Sequence, residues 1–275
     1  MNLGLSTKEN DEKEEKIEQN KIKNKIAIDD DSLIRRGEMQ MAIWGIADLH
    51  LSFQNNKPMS IFGDNWKGHE EKIKQDWCQK VKEEDTVLLL GDFSWAMYLE
   101  ETDEDFRYLS SLPGKKILLK GNHDYWWTTV TKMRKFLTDH QFEGIDFLYN
   151  NSYEVEGTII AGTRGWALTD DPEDKRLLER ETIRLELSIQ EGIKKYGENK
   201  PIIVCMHYPP VVKHGQNKIS SACIQVMKKY QVKECYYGHL HGAAIHEAVE
   251  QEVEGIKLKL ISCDSLDFQL WKVQD

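Results

Sequence analysis

The chain has 275 residues, 40% of them hydrophobic, and its 8 Trp, 10 Tyr and 8 Phe can fill a sizeable core in one large domain or two small ones. Its formal net charge of -10 argues against a general nucleic-acid binder, because a polyanion must be met by a positive surface. The same charge does not exclude a small phosphorylated substrate, since bound cations would reverse the local sign.

No apolar run is long enough to span a bilayer, and no apolar core follows a basic start, so neither a membrane partner nor a secretory leader is expected. Cys78, Cys205, Cys223, Cys235 and Cys263 contain no C-x-x-C pair and are expected to be reduced thiols in a cytoplasmic protein.

Residues 1–40 stand apart. From Lys8 to Lys25 only Ile17 and Ile22 are large and apolar, too few to order a segment, so a disordered tail is expected. An alternative expectation is that the natural start is Met39 or Met41, because Arg35-Arg36-Gly37-Glu38 can be encoded by a purine-rich string resembling a bacterial ribosome-binding site. Residues 41–275 are then one domain. It begins with a strand at Ala42–Ala47, a loop from Phe53 to Gly68 and a helix from Glu70 to Lys82. Thr86–Leu90 reads as a buried strand and Glu101–Ser111 as a short helix stopped by Pro113-Gly114. Lys116–Lys120 is a third strand, and Tyr125–His140 reads as the helix after it.

Phe147–Tyr149, Tyr153–Val155 and Thr158–Ala161 continue as strands, and Pro172–Tyr196 as one long charged helix. Then come a strand at Pro201–Met206, a helix at Ser220–Tyr230 and a strand at Glu234–Tyr237. Ala244–Glu250, Ile256–Ser262 and Phe268–Val273 alternate as antiparallel strands would. This order predicts a mixed α/β (α+β) fold with two sheets face to face and helices outside, a four-layer sandwich.

Polar groups follow five of the buried strands. They are Asp48 and His50, then Gly91-Asp92, Gly121-Asn122-His123-Asp124, His207, and Gly238-His239 with His241. Parallel strands put these ends on one edge, where α/β folds form ligand crevices. Residues two apart in extended chain point the same way, so Asp48 with His50, and His239 with His241, are expected to grip one centre or two adjacent ones. Charged and imidazole groups do not gather at buried strand ends without a counter-ion. Oxygen and imidazole donors together suit Mn, Fe or Zn, and the absence of Cys argues against a structural zinc site. His69, His140 and His246 read as surface residues, and His214 is left open.

In order, these motifs resemble the set of the calcineurin-like metallophosphoesterases over Met41 to His241, closest to a bacterial branch of predicted phosphohydrolases without an assigned substrate. The resemblance implies two divalent metal ions. It assigns Asp48, His50, Asp92 and His241 to one and Asp92, Asn122, His207 and His239 to the other, with Asp92 bridging. His123 becomes the general acid or transition-state stabiliser, and Asp124 the group that orients its ring. Metal-activated hydroxide would cleave a phosphomonoester or phosphodiester. Trp95 departs from the polar or charged residue that many members carry three positions after the bridging Asp. Together with Asp124, where a Glu is usual, it counts against a protein Ser/Thr phosphatase; the complete ligand set counts against a non-catalytic metal scaffold.

Candidate contacts to a small, nucleotide-like substrate are Trp95, Tyr125, Trp126, Arg164, Trp166 and His214, with Trp127 beside them. The aromatics could stack on a base or sugar, or Trp126 and Trp127 could simply begin a helix and pack. Arg164, near two glycines, suits phosphate contact or a solvated loop equally.

Overall fold

The computed structural model describes residues 41–55, 57–215 and 217–274. The expectations for residues 1–40 lie outside the described residues.

Among the described residues, thirteen strands form two main sheets and a hairpin. The first sheet contains β1 (Ile43–Ile46), β2 (Thr86–Leu90), β3 (Lys115–Leu119), β4 (Ile145–Leu148) and β13 (Trp271–Gln274), in the order β13-β1-β2-β3-β4. The second contains β5 (Tyr153–Val155), β6 (Thr158–Thr163), β7 (Ile202–Met206), β10 (Glu234–Tyr237), β11 (Glu252–Val253) and β12 (Ile256–Leu260), in the order β11-β12-β10-β7-β6-β5. Each sheet has four consecutive parallel strands; in the first, β4 is one edge and antiparallel β13 the other, and in the second, antiparallel β5 and β11 close both edges. The hairpin is β8 (Val211–His214) with β9 (Asn217–Ser220).

Side chains alternate across these strands as the pleat requires. In β2, Leu88 and Leu90 face the second sheet, where Ile160, Ile203 and Cys205 meet them. Val87 and Leu89 face outward. There they pack with Ile73 and Trp77 of α1 (His69–Lys80), Phe106 and Leu109 of α2 (Asp103–Ser110), and Met133 and Phe136 of α3 (Val130–Asp139). On the far side, Val204 and Cys235 pack against Leu185 and Ile189 of α4 (Pro172–Tyr196) and Ile224 and Met227 of α5 (Ala222–Lys229). The layers are therefore helix, sheet, sheet, helix, as the sequence predicts. Burying such a side chain contributes about 1.5–3 kcal/mol, which is why nearly continuous apolar runs become the inner strands.

Several local expectations fail. The helix expected from Tyr125 begins only at Val130, with Thr129 capping the amide of Lys132. Asp124 accepts from the Asp92 amide at the neighbouring strand end and from the Trp126 indole, which holds the five intervening residues out of helix. Ala244–Glu250 is no strand; a tight helical turn spans Gly242–Glu247. Ile256–Leu260 pairs parallel to β10, so the expected antiparallel C-terminal trio does not form. The β8–β9 hairpin has no signal in the sequence, because its second strand is exposed and carries no apolar alternation. Nor is His69 a surface residue. It is buried, with Nε2 2.9 Å from Leu49 O and Nδ1 3.2 Å from Trp66 O, pinning α1 to the loop after β1.

Candidate metal centre

The five motifs meet at one edge of the sandwich. Asp48 and His50 follow β1, Asp92 follows β2, Asn122 follows β3, His207 follows β7, and His239 and His241 follow β10. The extended geometry expected for the first pair is not what joins its side chains. Asp48 (φ 62°), His50 (46°), Asp92 (51°) and His239 (75°) all adopt left-handed backbone conformations. Each costs on the order of 1–3 kcal/mol for a residue other than glycine, and such strain collects at functional sites. Gly121 is required here, because a Cβ would fall inside the Asp92 carboxylate.

The donor atoms crowd one another. His50 Nε2 lies 3.2 Å from His241 Nε2. Asn122 Oδ1 lies 2.6 Å from His207 Nε2 and 2.8 Å from His239 Nδ1. Asp48 Oδ1 is buried without a hydrogen-bond donor, 3.4 Å from His241 Nε2 and 3.8 Å from His207 Nδ1. Asp92 Oδ2 is 3.8 Å from His50 Nε2, and its Oδ1 is 3.6 Å from His207 Nε2. The other ring nitrogens set the tautomers. His207 Nδ1 donates to Leu90 O at 2.9 Å and His241 Nδ1 donates to Asp264 Oδ1 at 2.9 Å. The neutral His207 ring therefore presents its Nε2 lone pair inward, towards the Asn122 oxygen, and His241 Nε2 faces His50 Nε2 and the Asp48 carboxylate. A cation relieves that arrangement.

Electrostatics agree. Asp48, Asp92 and Asp124 are all buried, and among the described residues none pairs with a Lys or Arg. Burial, followed by the charges of Asp124 and Asp48, pushes the Asp92 carboxyl far up. Burial also holds His50 and His207 below the usual imidazole range and brings His239 down to about 4, which keeps these rings neutral as ligands must be. Burial would lower His241 too, but Asp48 and Asp264 outweigh it and raise it to about 10. Asp48 with His50 and His241 forms one group whose ligand atoms lie within 4.8 Å of one another, and Asp48 with Asp92 and His207 forms another. The residues present fit two divalent cations.

His123 sits beside this cluster, half-buried, its amide donating to Asp92 Oδ1 at 2.7 Å and its ring 5.7 Å from that of His50. Burial, then the other imidazoles, lower its pKa. Asp124 does not orient that ring. His123 Nδ1 has no hydrogen-bond partner among the described residues. Both oxygens of Asp124 are committed elsewhere. Oδ1 accepts from the amides of Phe93 (2.9 Å) and Ser94 (3.3 Å) and from the Trp126 indole (3.0 Å); Oδ2 accepts from the amides of Asp92 (2.9 Å) and Gly121 (2.7 Å). Asp124 shapes the loop that carries Asp92.

Trp126 is likewise not a substrate contact. It is 2% exposed and packs edge-on against Phe93 and Phe106. Trp95 does reach the site, stacked on His50 with ring centres 4.8 Å apart and 4.5 Å from the His123 ring. With Met59, Phe62, Trp66, His123 and His241 it lines a cavity of about 260 Å³. Tyr125 is exposed beside His123, at 6.2 Å between rings. Arg164 and Trp166 follow β6, the guanidinium 4.3 Å over the indole, whose N–H donates to Asp174 at 2.8 Å. His214 lies in β8, and its side chain is outside the described residues.

Two residues escaped the sequence reading. Asp264 holds His241 Nδ1 and the amide of Gly242 (2.9 Å); the signal was its place just past the strand at Ile256–Leu260. Tyr208 lies 4.2 Å from the His239 ring, and only its adjacency to His207 announced it.

Two mainly parallel sheets face to face, with an Asp/His/Asn cluster at their strand ends, form the metallophosphoesterase fold. The calcineurin-like phosphoesterase family matches residues 41–243, and the chain belongs to that family, whose members are generally dinuclear metal-dependent hydrolases. Gene 66 protein of Mycobacterium phage L5 is 30% identical over 81 residues, 30% of this chain; the chain spans 39% of that relative's length. Among solved structures, TT1561 of Thermus thermophilus superposes with TM-score 0.51 at 13% identity, over 86% of this chain and 99% of that one. A phosphopantetheinyl hydrolase from Mycobacterium tuberculosis gives TM-score 0.48 at 14% identity, over 85% and 96%. Among the described residues, no helix is long and apolar enough to cross a membrane.

Proposed function

We propose that the protein hydrolyses a phosphomonoester or phosphodiester of a small, nucleotide-like substrate. Asp48, His50, Asp92 and His241 would hold one divalent cation and Asp92, Asn122, His207 and His239 the other, with Mn, Fe or Zn the ions this donor set suits. The observation that carries this reading is the inward crowding of ligand atoms with no Lys or Arg among them: His50 Nε2 and His241 Nε2 at 3.2 Å, His207 Nε2 against Asn122 Oδ1 at 2.6 Å, and the buried, unbonded Asp48 Oδ1. When bound, the two cations supply an activated water and screen the charge on the phosphoryl oxygens.

The chain's own residues do the rest. Leu90 O and Asp264 hold the His207 and His241 rings, so that their Nε2 atoms face inward before any ligand arrives. His123 is tied through its amide to Asp92, which places its ring beside the cluster, next to the Trp95 cavity. In its charged form it protonates the leaving oxygen and contacts the phosphate. The cavity walls of Trp95, Trp66, Met59 and Phe62 suit an apolar or aromatic leaving group and exclude water from it.

Turnover of bis-p-nitrophenyl phosphate and p-nitrophenyl phosphate by the Mn-loaded protein tests the reading. His123→Ala should lower kcat about 10²–10⁴-fold while metal content stays near wild type. No turnover of either ester with two ions bound would overturn the function; loss of both ions from His123→Ala would overturn the role of His123.

A further inference from the structure

A second cavity, of about 290 Å³, opens at the same sheet edge, between the ends of β3, β4 and β6 and the flank of α4. Its wall carries Lys120, Arg164, Arg180 and Arg184 and one acid, Glu181. Four cations against one carboxylate stand out in a chain with a net charge of -10.

Neutralising Glu181 does not account for them. Glu181 is buried and already satisfied: Thr163 Oγ1 donates to it at 2.7 Å and Arg184 Nη1 at 2.7 Å, with Arg180 Nε at 3.9 Å. Arg184 also donates to Tyr149 Oη at 3.0 Å. That leaves Lys120 and Arg164. Among the described residues, neither the Lys120 ammonium nor the Arg164 guanidinium has a carboxylate or hydrogen-bond acceptor; Arg164 rests only on the Trp166 ring. Both residues are partly buried. Glu181 is the one acid of the cavity wall and its oxygens are already bonded, so two partly buried cations without a direct partner are costly unless an anion joins them.

This cavity shares its frame with the metal centre. Lys120 comes two residues before Asn122 on the end of β3. The carbonyl of Arg164 accepts from the amides of His207 (3.2 Å) and Tyr208 (2.9 Å). The backbone that carries Lys120 and Arg164 thus adjoins Asn122 and His207, whereas the apolar Trp95 cavity is lined by His50, His123 and His241.

We infer that Lys120 and Arg164, supported by Arg180 and Arg184, bind a second phosphoryl group of the substrate. Resting on the phosphohydrolase reading, this narrows the substrate class to small phosphoesters that carry another phosphate. A dianion matches the surplus of positive charge better than a single carboxylate does, and the planar Arg fork can hold two of its oxygens. The cavity volume leaves room for the sugar or chain that joins the two phosphates.

The binding part needs no metal. Inorganic pyrophosphate titrated into EDTA-treated protein should give one calorimetric site whose affinity falls with added salt. Lys120→Gln and Arg164→Gln should each weaken it at least tenfold, and Arg164→Lys should restore part of the loss. In the Mn-loaded protein, kcat/KM for adenosine 3′,5′-bisphosphate relative to adenosine 5′-monophosphate should fall at least tenfold in the Gln variants. Absence of pyrophosphate binding to folded metal-free protein, or affinity unchanged in both Gln variants, would overturn the inference. Those outcomes leave the phosphohydrolase standing if the p-nitrophenyl esters still turn over. Conversely, pyrophosphate binding lost in the Gln variants, with no ester hydrolysed by the wild type, would keep the anion site and remove the hydrolase.

Discussion

Asp124→Asn distinguishes a loop clamp from a partner for His123. The wild-type carboxylate receives five N–H donors, three on Oδ1 and two on Oδ2, and is fully buried. An asparagine keeps one acceptor oxygen. Placed at the Oδ1 position, it preserves the bonds from Phe93, Ser94 and Trp126. Its NH2 then faces the amides of Asp92 and Gly121, and two buried donors lose their acceptor. Each orphaned donor costs about 1–3 kcal/mol, so the pair costs about 2–6 kcal/mol, a large share of an ordinary domain's stability. At about 2–4 °C per kcal/mol for a domain of this size, a midpoint cost of about 4 kcal/mol lowers Tm by about 8–16 °C. Urea denaturation of metal-free protein, followed by Trp fluorescence, reads this directly. Mn affinity should fall as well, because the displaced amide belongs to Asp92. A variant within about 1 kcal/mol of wild type, with only the pH profile of turnover changed, would refute the clamp and restore Asp124 as the partner of His123.

Two further predictions concern neighbours of the site. Asp105 is buried, accepting from Ser94 Oγ and from the Phe53 amide at 3.1 Å; burial pushes its carboxyl from 3.8 up to about 6. An acid whose pKa is raised on folding opposes folding when ionised. Its penalty is absent below 3.8, grows between 3.8 and about 6, and is complete above that, at about 3 kcal/mol. The stability of wild type relative to Asp105→Asn should therefore rise as pH falls from about 7 to about 4, and parallel urea-stability curves across that range would rule the effect out. Asp264→Asn should weaken metal affinity about 10–100-fold by loosening the hold on His241, measured by competition with a chelator; wild-type affinity would show that Asp264 does not orient the ring.

Much of this molecule could be read locally. Nearly unbroken apolar runs such as Thr86–Leu90 and Ile202–Met206 identified the buried parallel strands, because burial on both faces leaves no room for polar alternation. The polar residues directly after those runs named the metal cluster, because parallel strands deliver their ends to one edge. Packing decided the rest. Trp126 and Trp95 look alike in the sequence, yet the first lies in the core with Phe93 and Phe106 while the second stacks on His50. Asp124 is next to His123 in the chain but bonds to the amides of Asp92 and Phe93, on a different strand end. His69 opens a charged helix and still is buried, because two carbonyls from outside that helix meet its ring.

The chain by itself determined which donors lie at which strand ends, since hydrophobic period and order suffice for that. Only tertiary structure decided how those donors face one another. The left-handed turns at Asp48, His50, Asp92 and His239 aim the side chains, and local sequence does not encode a strain that the surrounding fold must hold in place. The cationic cavity is the extreme case. Lys120, Arg164 and Arg184 come from the ends of β3 and β6 and from α4, and their mutual repulsion exists only once the sandwich has closed.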